Sequence, residues 1–225
     1  MYRQMPPDQA EFAATLAREA PIYGVALTAE QVAALTRYYA ILFRWNPRLH
    51  LVAPHASDEF ARRHILESLL AAHLLPEDGH IVDVGSGGGL PALPLLIARP
   101  DVHFTLFESN SKKSVFLREA LAESGCASRG RVISERFEDQ PPPRAAALTC
   151  RALDRFTSLL PALLAWASDI NLLLLFGGEE LRAHLPEETF DLSAQLIPQS
   201  ERRFLFTLRR RTQNEVRNAP SLTSP

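Results

Sequence analysis

The chain has 225 residues, 46% hydrophobic and 22% charged, which suits a soluble globular domain with an appendage and a substantial core. A formal net charge of −2 carries no global nucleic-acid signature, and basic residues cluster locally instead, at Arg62 and Arg63, at Lys112 and Lys113, and at Arg209, Arg210 and Arg211. Cys126 and Cys150 have neither metal-ligand nor redox spacing, no apolar run is long enough to cross a membrane and no leader pattern opens the chain, so a metal-free protein of the reducing cytoplasm is expected.

Residues 1–76 read as a helical segment that packs on the domain C-terminal to it. Thr28 and Gln31 form a capping-box pattern ahead of Val32, Leu35, Tyr38, Tyr39 and Leu42, which recur at helical spacing up to Trp45. Asn46-Pro47 is expected to end that helix. Ser57 or Asp58 is placed to cap a second helix carrying Phe60, His64, Ile65, Leu69 and Leu70, which reaches about Leu75 before Pro76 stops it. From residue 77 strands and helices alternate, with strands near 80–84, 102–107, 131–134, 146–150 and 170–176 and helices near 91–98, 112–123, 158–167 and 179–185. This alternation predicts an α/β fold with a doubly wound, mostly parallel sheet that holds its ligand at the carboxyl ends of the strands. Residues 194–197 and 203–208 read as a closing antiparallel pair, so the second domain is taken as 77–210, and the polar composition of 211–225 reads as a disordered tail.

The run HIVDVGSGGGLPALPLL over residues 80–96 carries the chemistry. An apolar strand that stops at Gly85, Gly87 and Gly89 lets backbone N–H groups approach a ligand without a Cβ in the way. The following strand ends at Glu108, where a carboxylate can accept both hydroxyls of a ribose. The dinucleotide fingerprint GxGxxG requires a third glycine where Leu90 stands, and Asp83 places a negative charge inside the motif. That charge would repel a pyrophosphate but favours a cationic ligand with an amino group, and S-adenosylmethionine is such a ligand.

Further motifs occur in one order at consistent intervals. They are Trp45-Asn46, Arg63-His64-Ile65-Leu66-Glu67-Ser68, the run from Asp83 through Ser86 to Leu90-Pro91, Glu108-Ser109 with Lys112-Lys113 and Phe116-Leu117-Arg118, Arg136-Phe137-Glu138, and Arg151-Ala152. Together they resemble the RsmG (GidB) family of small-subunit ribosomal RNA methyltransferases, over roughly residues 25–210. The resemblance implies a Rossmann-like class I methyltransferase sheet and methylation of N7 of one guanine in 16S ribosomal RNA. The implied partners are that RNA or the ribosomal particle, with no membrane and the chain acting as a monomer. The donor would lie against Asp83, Gly85, Ser86, Gly87, Gly89 and Leu90, with its ribose on Glu108, its adenine between Phe137 and Glu138, and its carboxylate paired to Arg151.

Arg63, His64, Lys112, Lys113 and Arg118 are candidates for a basic edge facing RNA, although solvated charge and a satisfied histidine account equally for several of them. The lysine pair opens a helix, where a cation opposes the dipole and phosphate contact would explain it. Guanine N7 has a lone pair and no proton, so positioning for in-line transfer suffices and no catalytic acid or base is assigned. Glu67 or Glu138 would help the pocket tolerate a cation, and Trp45, Phe137 or Phe156 could stack on a splayed base. Three positions depart from the family pattern. His50-Leu51-Val52 replaces Asn-Leu-Thr, Glu67 stands where members carry Asp, and the segment at Leu175 to Gly178 lacks a lysine. A methyltransferase acting on a small molecule or protein, and a non-catalytic ribosome-binding paralogue, are therefore kept as alternatives.

Overall fold

The alternating part of the chain folds into one seven-stranded sheet in a computed structural model that describes residues 8–151 and 156–211. The strands are β1 His80–Val84, β2 His103–Phe107, β3 Gly130–Ile133, β4 Ala147–Arg151, β5 Leu172–Gly178, β6 Phe190–Leu196 and β7 Arg203–Arg210. Their order is β3-β2-β1-β4-β5-β7-β6. The first five are parallel to one another, whereas β7 runs antiparallel to both β5 and β6. The expected parallel sheet and closing antiparallel pair are therefore present. β6 starts earlier than its local pattern indicated, because buried Phe190 pairs with Arg210 across the sheet while most of the strand is exposed.

Eight helices lie among the described residues: α1 Gln9–Glu19, α2 Ala29–Leu49, α3 Ser57–Phe60, α4 Glu67–Leu69, α5 Ala92–Ala98, α6 Ser111–Glu123, α7 Phe156–Trp166 and α8 Glu179–Arg182. The N-terminal helices share one continuous apolar core with α5, α6 and one face of the sheet, while residues of α7 and α8 pack into the core on the other face. Phe12 of α1 stacks on Tyr39 of α2 at 4.2 Å between ring centroids, and Phe60 of α3 closes the aromatic cluster. Among the described residues no helix is long and apolar enough to cross a membrane. The tail from residue 212 and residues 152–155 lie outside the described residues, so the expectation of tail disorder does too.

Local signals placed three helix boundaries wrongly. The capping box is formed, with the Gln31 N–H donating to Thr28 Oγ1 at 3.2 Å and the Thr28 N–H to Gln31 Oε1 at 2.9 Å. Asn46-Pro47, however, does not end α2, which continues to Leu49 and is closed by left-handed His50 at φ 48°. Pro47 removes only one donor near the last turn, and the Asn46 side chain both donates to the Val52 carbonyl (3.1 Å) and accepts from the Val52 N–H (3.0 Å). The turn is thereby fastened by a contact that lies beyond the local pattern. Neither Ser57 nor Asp58 is the N-cap of α3, a position held by Ala56. The Ser57 hydroxyl instead accepts from the Asp8 N–H and from the Tyr39 hydroxyl, joining three helices. Nor does one regular helix run to Leu75: residues Ala61–Leu66 between α3 and α4 are π-helical and a separate 3-10 turn covers Ala72–Leu74.

Candidate active site

β1 has parallel neighbours β2 and β4 on its two sides, and ligands of such sheets bind in the crevice at this reversal of strand order. A cavity of about 560 Å³ opens there, within the range of small-molecule sites. Its floor is the turn after β1. Gly85 and Ser86 both donate their N–H groups to the Phe107 carbonyl at 3.0 Å, pulling the turn onto the end of β2. Gly85, Gly87 and Gly89 have φ of 73°, 51° and 85°, a region that side-chain-bearing residues rarely adopt. At Gly89 a Cβ would also lie 2.5 Å from Leu93 Cδ1, so this glycine lets the turn close onto α5. From the helical layer the Tyr38 hydroxyl donates to the Gly88 carbonyl at 2.5 Å, and Leu51 packs over Gly88.

Asp83 is 1% exposed and lies beneath this floor, not on the cavity wall. Parallel register sets it opposite Thr149, whose hydroxyl donates to Asp83 Oδ1 at 2.6 Å, while Oδ2 is buried without a hydrogen-bond partner among the described residues. Burial pushes its carboxyl up to about 7, against the hydrogen bonds from Ser86 and Thr149, and the nearby Glu108 charge adds to the rise. Glu108 accepts the Gly87 N–H on one oxygen and the Asn110 N–H on the other, both at 2.8 Å, so its carboxylate is fixed at the end of β2. The Asn110 side chain in turn caps α6 through the N–H groups of Lys112 and Lys113. Beyond β3, Phe137 is buried edge-on against Trp166 at 5.5 Å, and the Trp166 indole N–H is held by the Gln140 carbonyl at 2.7 Å.

The opposite end of the cavity is built by Arg151, His64 and Leu159. Arg151, at the end of β4, is not a surface ion pair: its side chain is only 13% exposed. Its guanidinium donates to the Arg63 carbonyl (2.6 Å), the His64 carbonyl (3.4 Å), Ser68 Oγ (3.3 Å) and Glu67 Oε2 (3.1 Å). It thus satisfies carbonyls of the π-helical turn, a geometry that concentrates at functional sites. Burial lowers the Arg151 pKa and raises that of Glu67, the desolvation of a buried pair outweighing their mutual attraction.

Of the residues read from the sequence, Gly85, Ser86, Gly87, Leu90, Glu108, Phe137, Glu138, Arg151, His64 and Lys113 come together on the wall, whereas Asp83 and Gly89 lie behind it. Arg63 faces a neighbouring cleft and pairs with Glu59 at 3.1 Å, Lys112 is exposed, and exposed Arg118 reaches the Val132 carbonyl at 3.5 Å. Three expectations are corrected. His64 adds no charge to a basic edge, since burial first and then Arg151 drive its pKa down to about 2. Glu67 does not face the cavity: it is 2% exposed and bound by Arg151 and Arg203. Trp45 stacks on no base site, because it packs edge-on against Phe116 and donates its indole N–H to Glu119 at 3.0 Å. The side chain of Phe156 lies outside the described residues. Sequence reasoning missed His50, Leu51, Val52, Glu135 and Arg136 as wall residues, and Asn110 as the residue that orients Glu108's end of the site. Only Asn110 carried a local signal, as an N-cap ahead of an apolar helical repeat.

The sheet order β3-β2-β1-β4-β5-β7-β6 with β7 antiparallel, joined to a glycine turn after β1 and an acid after β2, is the arrangement of a Rossmann-like methyltransferase, since the glycine turn and acid alone would also suit a dinucleotide-binding sheet. Solved structures agree on the fold: the 23S rRNA methyltransferase ErmE superposes with a TM-score of 0.51 at 18% identity, covering 64% of this chain and 67% of that one. The ribosomal protein L11 methylase of Lactobacillus delbrueckii subsp. bulgaricus gives 0.53 at 13% identity, covering 65% and 78%. The family profile of rRNA small subunit methyltransferase G, GidB, matches residues 31–211, and the chain belongs to that family. The Ribosomal RNA small subunit methyltransferase G of Gluconobacter oxydans is 38% identical over 170 residues, 73% of this chain and 84% of the relative. That of Laribacter hongkongensis is 38% identical over 169 residues, 73% and 81%. The fold and family imply S-adenosylmethionine as the methyl donor.

Proposed function

We propose that this methyltransferase transfers a methyl group from S-adenosylmethionine to N7 of a guanine in small-subunit (16S) ribosomal RNA. The observation that carries the reading is the cavity at the β1/β4 reversal, walled by the glycine turn, Glu108 and Phe137 in a chain of this family. The residues present suit that donor: Asp83 lies beneath the floor with Oδ2 unpartnered among the described residues, and negative charge there favours a cationic ligand above the turn. At Gly87 a Cβ would meet only the Gly85 carbonyl oxygen at 3.7 Å, so the wall is open where a side chain would otherwise intrude.

Each Glu108 oxygen accepts one backbone N–H and keeps a further lone pair for a ribose hydroxyl. Phe137, held by Trp166, offers an apolar surface for adenine. The bound donor supplies a methyl group on a sulfonium centre. The chain's own contribution is to hold the acceptor in line, and N7 needs no proton acceptor because it carries no proton. Because a regular RNA duplex hides N7 in its deep major groove, the target is expected in a loop or irregular region.

Mass spectrometry of small-subunit rRNA from cells with and without the gene tests the reading. One N7-methylguanosine is expected to disappear, and an unchanged rRNA refutes it. An RNA substrate further requires that affinity fall steeply with salt, through counterion release, whereas a flat response would favour a small molecule or protein.

A further inference from the structure

We propose that the imidazole N–H of His64 recognises O6 of the acceptor guanine and that Arg151 positions this histidine, an assignment that rests on the guanine-N7 function. Strand order orients the cavity. Phe137 and Glu108 sit beyond β3 and β2 at the nucleoside end, so the far end, walled by His64, Arg151 and Leu159 beside β4, is where an acceptor meets the methyl group.

His64 is held there by its backbone. The Arg151 guanidinium donates to the carbonyls of Arg63 and His64, which fixes the π-helical turn that carries the ring. The same guanidinium lies 3.4 Å from His64 Nδ1, and because a guanidinium only donates, Nδ1 must accept. The ring proton is therefore on Nε2, which is buried and has no hydrogen-bond partner among the described residues. This leaves one donor of the turn without a protein partner among the described residues. Nε2 is buried, and the rings of Phe60 and His55 lie 4.7 and 5.1 Å from the His64 ring, so seating a base against Nε2 requires the side chains around it to move.

Guanine suits this donor chemically. Its Hoogsteen edge presents two acceptors, N7 and O6, whereas adenine presents an amino group beside N7. An N–H aimed at that edge accepts guanine and rejects adenine, leaving N7 free to react. Burial together with His55, Arg63, Arg151 and Arg203 keeps the ring uncharged, so it does not oppose the positive charge that the methylated base acquires. Arg151 itself is already committed to Arg63, His64, Ser68 and Glu67.

The test is a cycle between the protein and one substrate atom. Small-subunit particles are reconstituted with rRNA carrying either guanine or 2-aminopurine, which lacks O6, at the modified position. Wild-type protein is expected to lose about tenfold to a hundredfold in kcat/KM on the 2-aminopurine substrate, the scale of one hydrogen bond to a base. His64→Phe, which keeps a ring but no donor, should lose as much on guanine and nothing further on 2-aminopurine, and His64→Gln should recover part of the loss. Donor affinity by calorimetry should stay within about twofold, which also verifies folding of the variants. Additive losses in the cycle overturn the proposal. So does a His64→Phe protein with weakened donor binding and unchanged preference between the two bases, which would place the N–H on the donor. Absence of N7-methylguanosine with wild-type protein on the guanine particle is a different result, and it removes the guanine reading itself.

Discussion

Gly89→Ala isolates the physical demand of the glycine turn. The residue sits at φ 85°, and a left-handed conformation costs an L-residue about 1–2 kcal/mol. The new Cβ would stand 2.5 Å from Leu93 Cδ1 and 3.3 Å from Leu117 Cδ2, and both leucines are fully buried, so neither can swing into solvent. Overpacking of this kind costs a further ~1–3 kcal/mol. The sum, about 2–5 kcal/mol, is a large share of the roughly 5–15 kcal/mol that holds a typical domain together. Gly87→Ala is the matched control: its φ is 51° and its Cβ meets only the Gly85 carbonyl oxygen at 3.7 Å. It should lose only about 1 kcal/mol of stability from backbone conformation, yet bind the donor poorly because the methyl group stands on the cavity wall. Urea unfolding of the three proteins, with donor titration by calorimetry, separates the two effects. A Gly89→Ala protein within about 0.5 kcal/mol of wild type, a change ordinary for an unconstrained surface site, would refute the packing argument.

Arg151→Met should destabilise the protein by about 3 kcal/mol, since it leaves two carbonyls of the π-helical turn and part of the Glu67 charge unpaired, while Arg203 still holds Glu67. Urea denaturation measures this, and a loss below about 1 kcal/mol would show that the buried network contributes little. On the proposed function, donor binding should be pH-dependent through Asp83. Its carboxyl is raised to about 7 in the free protein, and an ammonium group above it favours the ionised form, so binding below that pH must release a proton. Affinity should rise by up to about tenfold per pH unit towards 7 and level off above it, and Asp83→Asn should flatten the profile; a flat wild-type profile contradicts the assignment. The same shift makes the folded state bind more protons than the unfolded chain between about pH 4 and 7, so this group's contribution to stability falls as pH rises through that window.

Much of the fold was legible because its signals are local. Apolar runs such as Ile81 to Val84 and Leu172 to Leu175, punctuated by glycines and caps, specify which segments become strands and helices without reference to the rest of the chain. The glycine turn and the acid that face the cavity were legible for the same reason, since Gly85, Gly87 and Glu108 lie at the ends of two consecutive strands. The loop over the glycine turn was not. His50, Leu51 and Val52 join the wall only because Asn46 fastens their loop over Gly88, and Asn46-Pro47 by itself reads as a helix end.

Sequence alone thus determined the order of elements, the parallel sheet with its antiparallel edge, and a glycine turn facing an acid. Tertiary structure decided that Arg151 of β4 grips a π-helical turn more than eighty residues earlier, that Glu67 is consumed by two arginines, and that His64 is uncharged with one N–H unpaired among the described residues. Periodicity and capping act over a few residues, whereas burial and pairing depend on which distant segments meet, and a side chain's charge state follows from the latter.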